Sequence, residues 1–218
     1  MNKKFLKAAV SLALFILTIV LVKKVDVAAV GPANTEIGLS HLNAGFHNLI
    51  GTHMFLYQAT NLLGFWAILC GCVFAVMGGV QLFQRKSLAK VDKKILALGG
   101  LYVVIGILYV LFEKVVINCR PILMEGETVP EASFPSSHTV LAVVIFGSVA
   151  MVAKDYLQEK RLTNLLQNIC LVLMAVSVLG RLFSGVHWLT DILGGLFLSF
   201  ALLQAFSGML DKLEDKTE

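Results

Sequence analysis

Charge is what this chain lacks most. Asp, Glu, Lys and Arg make up 15% of its 218 residues, where a soluble domain carries about 25%. Mean hydropathy is +0.82, so lipid is the main solvent of this chain and an ordinary water-soluble globule is excluded. The net charge of +4 does not signal nucleic-acid binding, because the basic residues are scattered between apolar runs. Cysteine is scarce too. Of Cys70, Cys72, Cys119 and Cys170, three fall inside apolar runs, where a thiol behaves as a small hydrophobe. Cys70-Gly71-Cys72 is too tight for the usual zinc spacing, so neither a disulfide framework nor a metal site follows. Internal repeats and low-complexity tracts are missing. No ionisable side chain falls in the middle of a long apolar run, which weighs against ion-coupled transport, since such groups are needed at mid-membrane.

Long apolar runs are what the chain does have. A crossing helix needs about 20 apolar residues, and six stretches qualify or nearly so: Phe5 to Val22, Phe55 to Leu82, Ile95 to Phe112, Thr139 to Val152, Leu165 to Leu182 and Leu189 to Leu210. The fold expected is therefore all-α, a bundle of six transmembrane helices in one domain over residues 1–218. The first run is followed by Lys23-Lys24 rather than a small-residue cleavage site, which reads as a retained signal anchor. The fourth is short unless the preceding "PSSH" joins it, which would put His138 on the first turn of a membrane helix.

Basic residues orient such a bundle. With the N-terminus placed in the cytoplasm, Lys212 and Lys216 fall on the inner side with most other cations. Only Lys23, Lys24, Lys114, Arg120 and Arg181, of 18 in all, remain outside. The expectation is a multi-pass protein of the cell membrane with both termini cytoplasmic. Residues 31–53 then form an outer loop in which Leu39, Leu42, Phe46, Leu49 and Ile50 have helical spacing, which predicts an interfacial helix. His41, His47 and His53 recur on different faces of such a helix, so they read as interfacial histidines rather than metal ligands.

Three polar segments meet on the outer side: "FEKVVINCRPIL" with Lys114 and Arg120, "FPSSHT" with Ser136, Ser137 and His138, and "GRLFSGVHWLTD" with Arg181, His187 and Asp191. Three cations on an apolar face call for an anion, and guanidinium matches phosphate oxygens two at a time. Ser136 and Ser137 begin a helix whose free N–H groups suit the same anion. His187 and Asp191, four apart, would share a helix face, with the carboxylate orienting the imidazole so that its other nitrogen is nucleophilic. His138 is placed to protonate a leaving oxygen. Singly, each has a plain role as snorkelling cation, helix cap or dipole partner. Their coincidence in a chain that otherwise avoids charge points to phosphoryl transfer.

Arg120-Pro121, Pro135-Ser136-Ser137-His138 and Arg181 with His187 and Asp191 together resemble the type 2 phosphatidic acid phosphatase family. The motif core runs from Lys114 to Asp191, about a third of the chain. The resemblance implies His187 as nucleophile, Asp191 as its orienting carboxylate and His138 as general acid. It also implies Lys114, Arg120, Arg181 and the Ser136-Ser137 segment as phosphate ligands, and no metal or other cofactor. Departures are small: Ser137 stands where the family has glycine, Gly180 where it has serine. Five residues rather than six separate Lys114 from Arg120, a rotation of about 100° on a helix.

The function expected is a metal-independent phosphatase of a lipid phosphate or pyrophosphate at the outer leaflet, with undecaprenyl pyrophosphate as one substrate and phosphatidylglycerol phosphate or phosphatidate as alternatives. Membrane lipids are the other partners expected. A non-catalytic headgroup binder or a transporter is the alternative from another class. A serine hydrolase fits less well because Ser184 lacks the flanking glycine of a nucleophile elbow, and six spans leave a vanadate peroxidase remote.

Overall fold

The computed structural model describes residues 3–215; Lys216, counted above with the inner cations, lies outside them. Among the described residues seven α-helices follow one another: α1 Lys3–Lys24, α2 Ser40–Ile50, α3 Met54–Arg85, α4 Lys93–Lys114, α5 Ser137–Tyr156, α6 Lys160–Phe183 and α7 Leu189–Glu214. Among the described residues no strand forms, only the isolated bridges Ala28–Ile37 and Cys119–Ala132. Six of the helices, all but α2, are long and apolar enough to cross a membrane, and they match the six runs seen in the sequence.

Helix α5 lies at the centre. It is apolar nearly all round, the mark of a helix with neighbours on every side, and Val140, Val143, Val144, Phe146, Val149 and Val152 are buried. Helices α3, α4, α6 and α7 pack against it, and α1 packs along α7. Glycines let the backbones close up: a Cβ on Gly147 would lie 2.7 Å from Leu203 of α7. The outer helices carry their apolar residues outward, as with Phe65, Trp66, Val103, Ile107 and Val172, as a lipid solvent allows. The fourth span is longer than its apolar run because Ser136 caps it, and of "PSSH" Ser137 and His138 join its first turn while Pro135 stays outside.

The short helix α2 is not a simple amphipathic ribbon. Its polar side is the one turned inward: Asn43 is fully buried. Its side-chain amide donates to Gly38 O at 2.8 Å and Thr190 Oγ1 at 3.0 Å, while its oxygen accepts from Thr190 N–H at 3.2 Å. Leu42 and Leu49 stay exposed. So α2 is bolted to the first turn of α7 and offers its leucines outward.

Candidate active site

His187 stands in the turn between α6 and α7. That turn needs Gly185, which has φ +68° and would bring a Cβ to 2.0 Å from the Gly51 carbonyl oxygen; only glycine meets both demands. The incoming end of α3 clasps the same turn, with His53 N–H donating to Ser184 O at 2.9 Å. Helix α7 then starts at Leu189, and Asp191 in its first turn accepts from Trp188 N–H through Oδ2 at 3.0 Å. The expectation that His187 and Asp191 share a helix face is corrected in this respect: His187 precedes the helix. The carboxylate that caps the helix start reaches back to it, leaving Nδ1 3.5 Å from Asp191 Oδ2.

His187 and Asp191 are almost fully buried, with the Ser133 backbone beside the imidazole and the Ser133 and Asn118 side chains beside the carboxylate. Burial, with the nearby Arg120 and Arg181 cations, holds the His187 imidazole well below its ordinary pKa. It is therefore neutral, the form in which an imidazole nitrogen keeps a lone pair.

A second wall comes from a bridge that joins residues 118–120 to 131–133. Arg120 N–H donates to Glu131 O and Ser133 N–H to Asn118 O, each at 2.9 Å, and the Trp188 indole N–H pins this pair to α7 through Cys119 O at 2.6 Å. Arg120 is thereby fixed at the edge of the site, its Nε 2.7 Å from Glu131 Oε2. Asn118 and Ser133 are buried behind it, and their side chains are polar neighbours of the Asp191 carboxylate.

The third wall is the start of α5. Ser136 is buried and its Oγ accepts from Thr139 N–H, while its own N–H donates to Asp191 O at 3.0 Å; it serves as cap and tether. His138 follows on the first turn. Gly64 of α3 keeps space beside it, since a Cβ there would lie 3.2 Å from His138 Cδ2.

Arg181 ends α6 wholly buried. Its guanidinium donates to Thr60 Oγ1 and Asn61 Oδ1, each at 3.1 Å, and lies 4.6 Å over the Tyr57 ring. These neutral partners orient the fork without neutralising it, and Nε is left without one. A buried cation without a carboxylate is costly.

Arg120, Ser137, His138 and His187 all line one cavity of about 570 Å³, and most of its remaining wall is apolar. Arg120 and Arg181 both act electrostatically on His138 as well as His187. Lys114 is not brought in. It is exposed at the end of α4, while its neighbour Glu113 lines the cavity, the rotation that the five-residue spacing implied. The loop histidines do not cluster: His41 Nδ1 meets Asp26 Oδ1 at 2.7 Å, His53 Nε2 meets Ile50 O and His47 packs edge-on against Trp188.

Sequence reading passed over Asn118, Ser133, Glu131, Thr60 and Asn61. Two signals were present: a polar Asn118 beside Arg120 after an apolar stretch, and the Thr60-Asn61 pair inside an apolar span.

The chain is thus a six-span helical membrane bundle that gathers two histidines, a carboxylate and two arginines at one end. Residues 94–215 match the PAP2 superfamily, and the chain belongs to that family. A crystal structure described as that of the first transmembrane PAP2-type phosphatidylglycerolphosphate phosphatase, from Bacillus subtilis, is similar with a TM-score of 0.65 at 17% identity, covering 94% of this chain and 96% of that one. Phosphatidylglycerophosphatase B of Bacillus subtilis (strain 168) is 29% identical over 86 residues, 38% of this chain, and the match spans only 41% of that relative's length.

Proposed function

We propose that the chain is a lipid phosphate phosphatase that works through a phosphohistidine on His187. The observation that carries this reading is that His187, backed by Asp191, lines the same cavity as His138 and Arg120, and that most of the remaining wall is apolar. A phosphate held by Arg120, Arg181 and the N–H groups at the start of α5 sits against His187 Nε2. That nitrogen's lone pair forms the P–N bond as the P–O bond to the lipid breaks. The leaving oxygen takes its electron pair and accepts a proton from His138, and Asp191 stabilises the charge gained by the His187 ring. In the second half a water gives a proton to His138 and its oxygen attacks phosphorus. The P–N bond breaks, inorganic phosphate leaves and His187 is neutral again. Lys114 has no contact in this scheme and keeps the anchoring role of a lysine at a helix end.

The relatives' names put phosphatidylglycerol phosphate at the head of the substrate panel, with undecaprenyl pyrophosphate and phosphatidate beside it. The uneven distribution of Lys and Arg supports action at the outer leaflet. The test is phosphate release from this panel by purified protein in detergent with EDTA present. Release that survives EDTA and disappears in His187→Ala is the expected result, and release by right-side-out but not inverted vesicles is expected for the sidedness. A folded protein that binds lipid phosphates yet releases none would instead mark a headgroup-binding site.

A further inference from the structure

The cavity does not end at the phosphate site. Gly64 of α3 is level with His138, its Cβ position 3.2 Å from that ring. Seven residues further along α3, a Cβ on Gly71 would lie 3.5 Å from the Tyr102 ring of α4 and 3.8 Å from Ile145 of α5. At 1.5 Å per residue, seven residues are about 10 Å. The step from His138 to Ile145 along α5 is also seven residues, so two helices give the same depth. Gly71, Tyr102 and Ile145 all line the cavity, so it runs about 10 Å from the histidines into the apolar part of the bundle.

Tyr102 differs from the other deep lining residues. It brings the large ring at that level, opposite Gly71, Cys72 and Ala75, and it brings a hydroxyl. That hydroxyl is tied to Ser148 Oγ at 3.0 Å. Ser148 is itself fully buried and donates to Ile145 O at 3.0 Å. The tie satisfies the polar tip and fixes the ring, which therefore presents an apolar face to whatever descends from the phosphate site.

We propose that Tyr102, anchored by Ser148, is the gauge that selects the substrate's lipid tail by length and bulk. The inference rests on the lipid phosphatase reading above. A tail joined to a phosphate at Arg120 and His187 enters the cavity, loses its water-exposed surface there, and meets the Tyr102 ring about 10 Å down. Removing the ring deepens the cavity at that level. Adding bulk at Gly71, directly opposite, closes it.

The experiment compares long-chain with short-chain phosphatidate. In Tyr102→Ala the ratio of kcat/KM for dioleoyl over dioctanoyl substrate is expected to rise about tenfold, the size of effect a few methylenes have in an apolar pocket. In Gly71→Val the same ratio is expected to fall, and Tyr102→Phe, which keeps the ring but loses the tie, to lie between wild type and Tyr102→Ala. Opposite shifts from opposite walls do not arise from general misfolding. A ratio unchanged in both Tyr102→Ala and Gly71→Val overturns the proposal. A second readout needs no turnover: Cys72 lines the cavity and is exposed. In His187→Ala, dioleoyl phosphatidate is expected to slow maleimide alkylation of Cys72, followed by peptide mass, while glycerol 3-phosphate is not. Protection without turnover in the wild type would refute the phosphatase reading and leave the tail site standing. Turnover without protection would refute the tail site alone.

Discussion

Lys94 and His187 lie at opposite ends of the bundle, each among buried or half-buried polar groups, and the two neighbourhoods are built on opposite principles. Around Lys94 the groups are matched. Its ammonium meets Asp155 at 2.6 Å and Glu214 at 2.9 Å, while Asp92 accepts from the Tyr156 hydroxyl at 2.9 Å and its N–H donates to Gln81 at 2.8 Å. Side chains of α3, α4, α5 and α7 are thus joined. Around His187 the groups are less completely matched: His138 Nδ1 and Arg181 Nε have no partner, and His187 Nδ1 lies 3.5 Å from Asp191 Oδ2. A matched cluster stabilises a fold. Unmatched buried polar atoms weaken it, and they persist where a ligand completes them.

Substitutions at the two ends should therefore separate activity from stability. His187→Ala has the largest effect, reducing lipid phosphate turnover by about 10⁴-fold or more, since nothing else in the cavity replaces the nucleophile; phosphate release measures it. His138→Ala follows at about 10²- to 10⁴-fold, the range for loss of a general acid. Its deficit should shrink with a leaving group that needs no proton, so a nitrophenyl phosphate ester checks the role. At the opposite end, Lys94→Met should leave turnover intact and lower stability by about 1 kcal/mol, read from thermal unfolding in detergent. Lys114→Ala should change neither, because Lys114 is exposed and does not line the cavity; a phosphate-site role would appear as a raised KM.

The comparison also has a pH form. Because burial holds the His187 pKa well below its ordinary value, its neutral form persists as pH falls through the usual imidazole midpoint near 6.5. Nitrogen-15 histidine spectra at pH 6 should show a neutral imidazole that is absent from His187→Ala.

Much of this was legible in the sequence because lipid makes strong demands. Each span needs its own apolar run, so the six helices could be counted directly, and Ser136 before His138 already marked where α5 begins. The His187-Asp191 spacing carried the right pairing with the wrong local reason, because a capping carboxylate and a helix-face neighbour share the same interval. Long-range partners were not legible. The hold of Thr60 and Asn61 on Arg181 depends on how α3 and α6 pack, and no local pattern records that. The bridge between residues 118–120 and 131–133 is too short for strand periodicity, yet it positions Arg120, Asn118 and Ser133. The phase of the last turn of α4, which turns Glu113 rather than Lys114 to the cavity, was visible only as a one-residue irregularity in spacing.

The central claim is that His187 carries the phosphoryl group. The most direct test is to react the protein with ³²P-labelled phosphatidate, quench in alkali, where phosphohistidine survives, and map the label by peptide mass. The account predicts label on His187 that disappears in His187→Ala together with phosphate release. Phosphate release with no labelled histidine, continuing in His187→Ala, would contradict it.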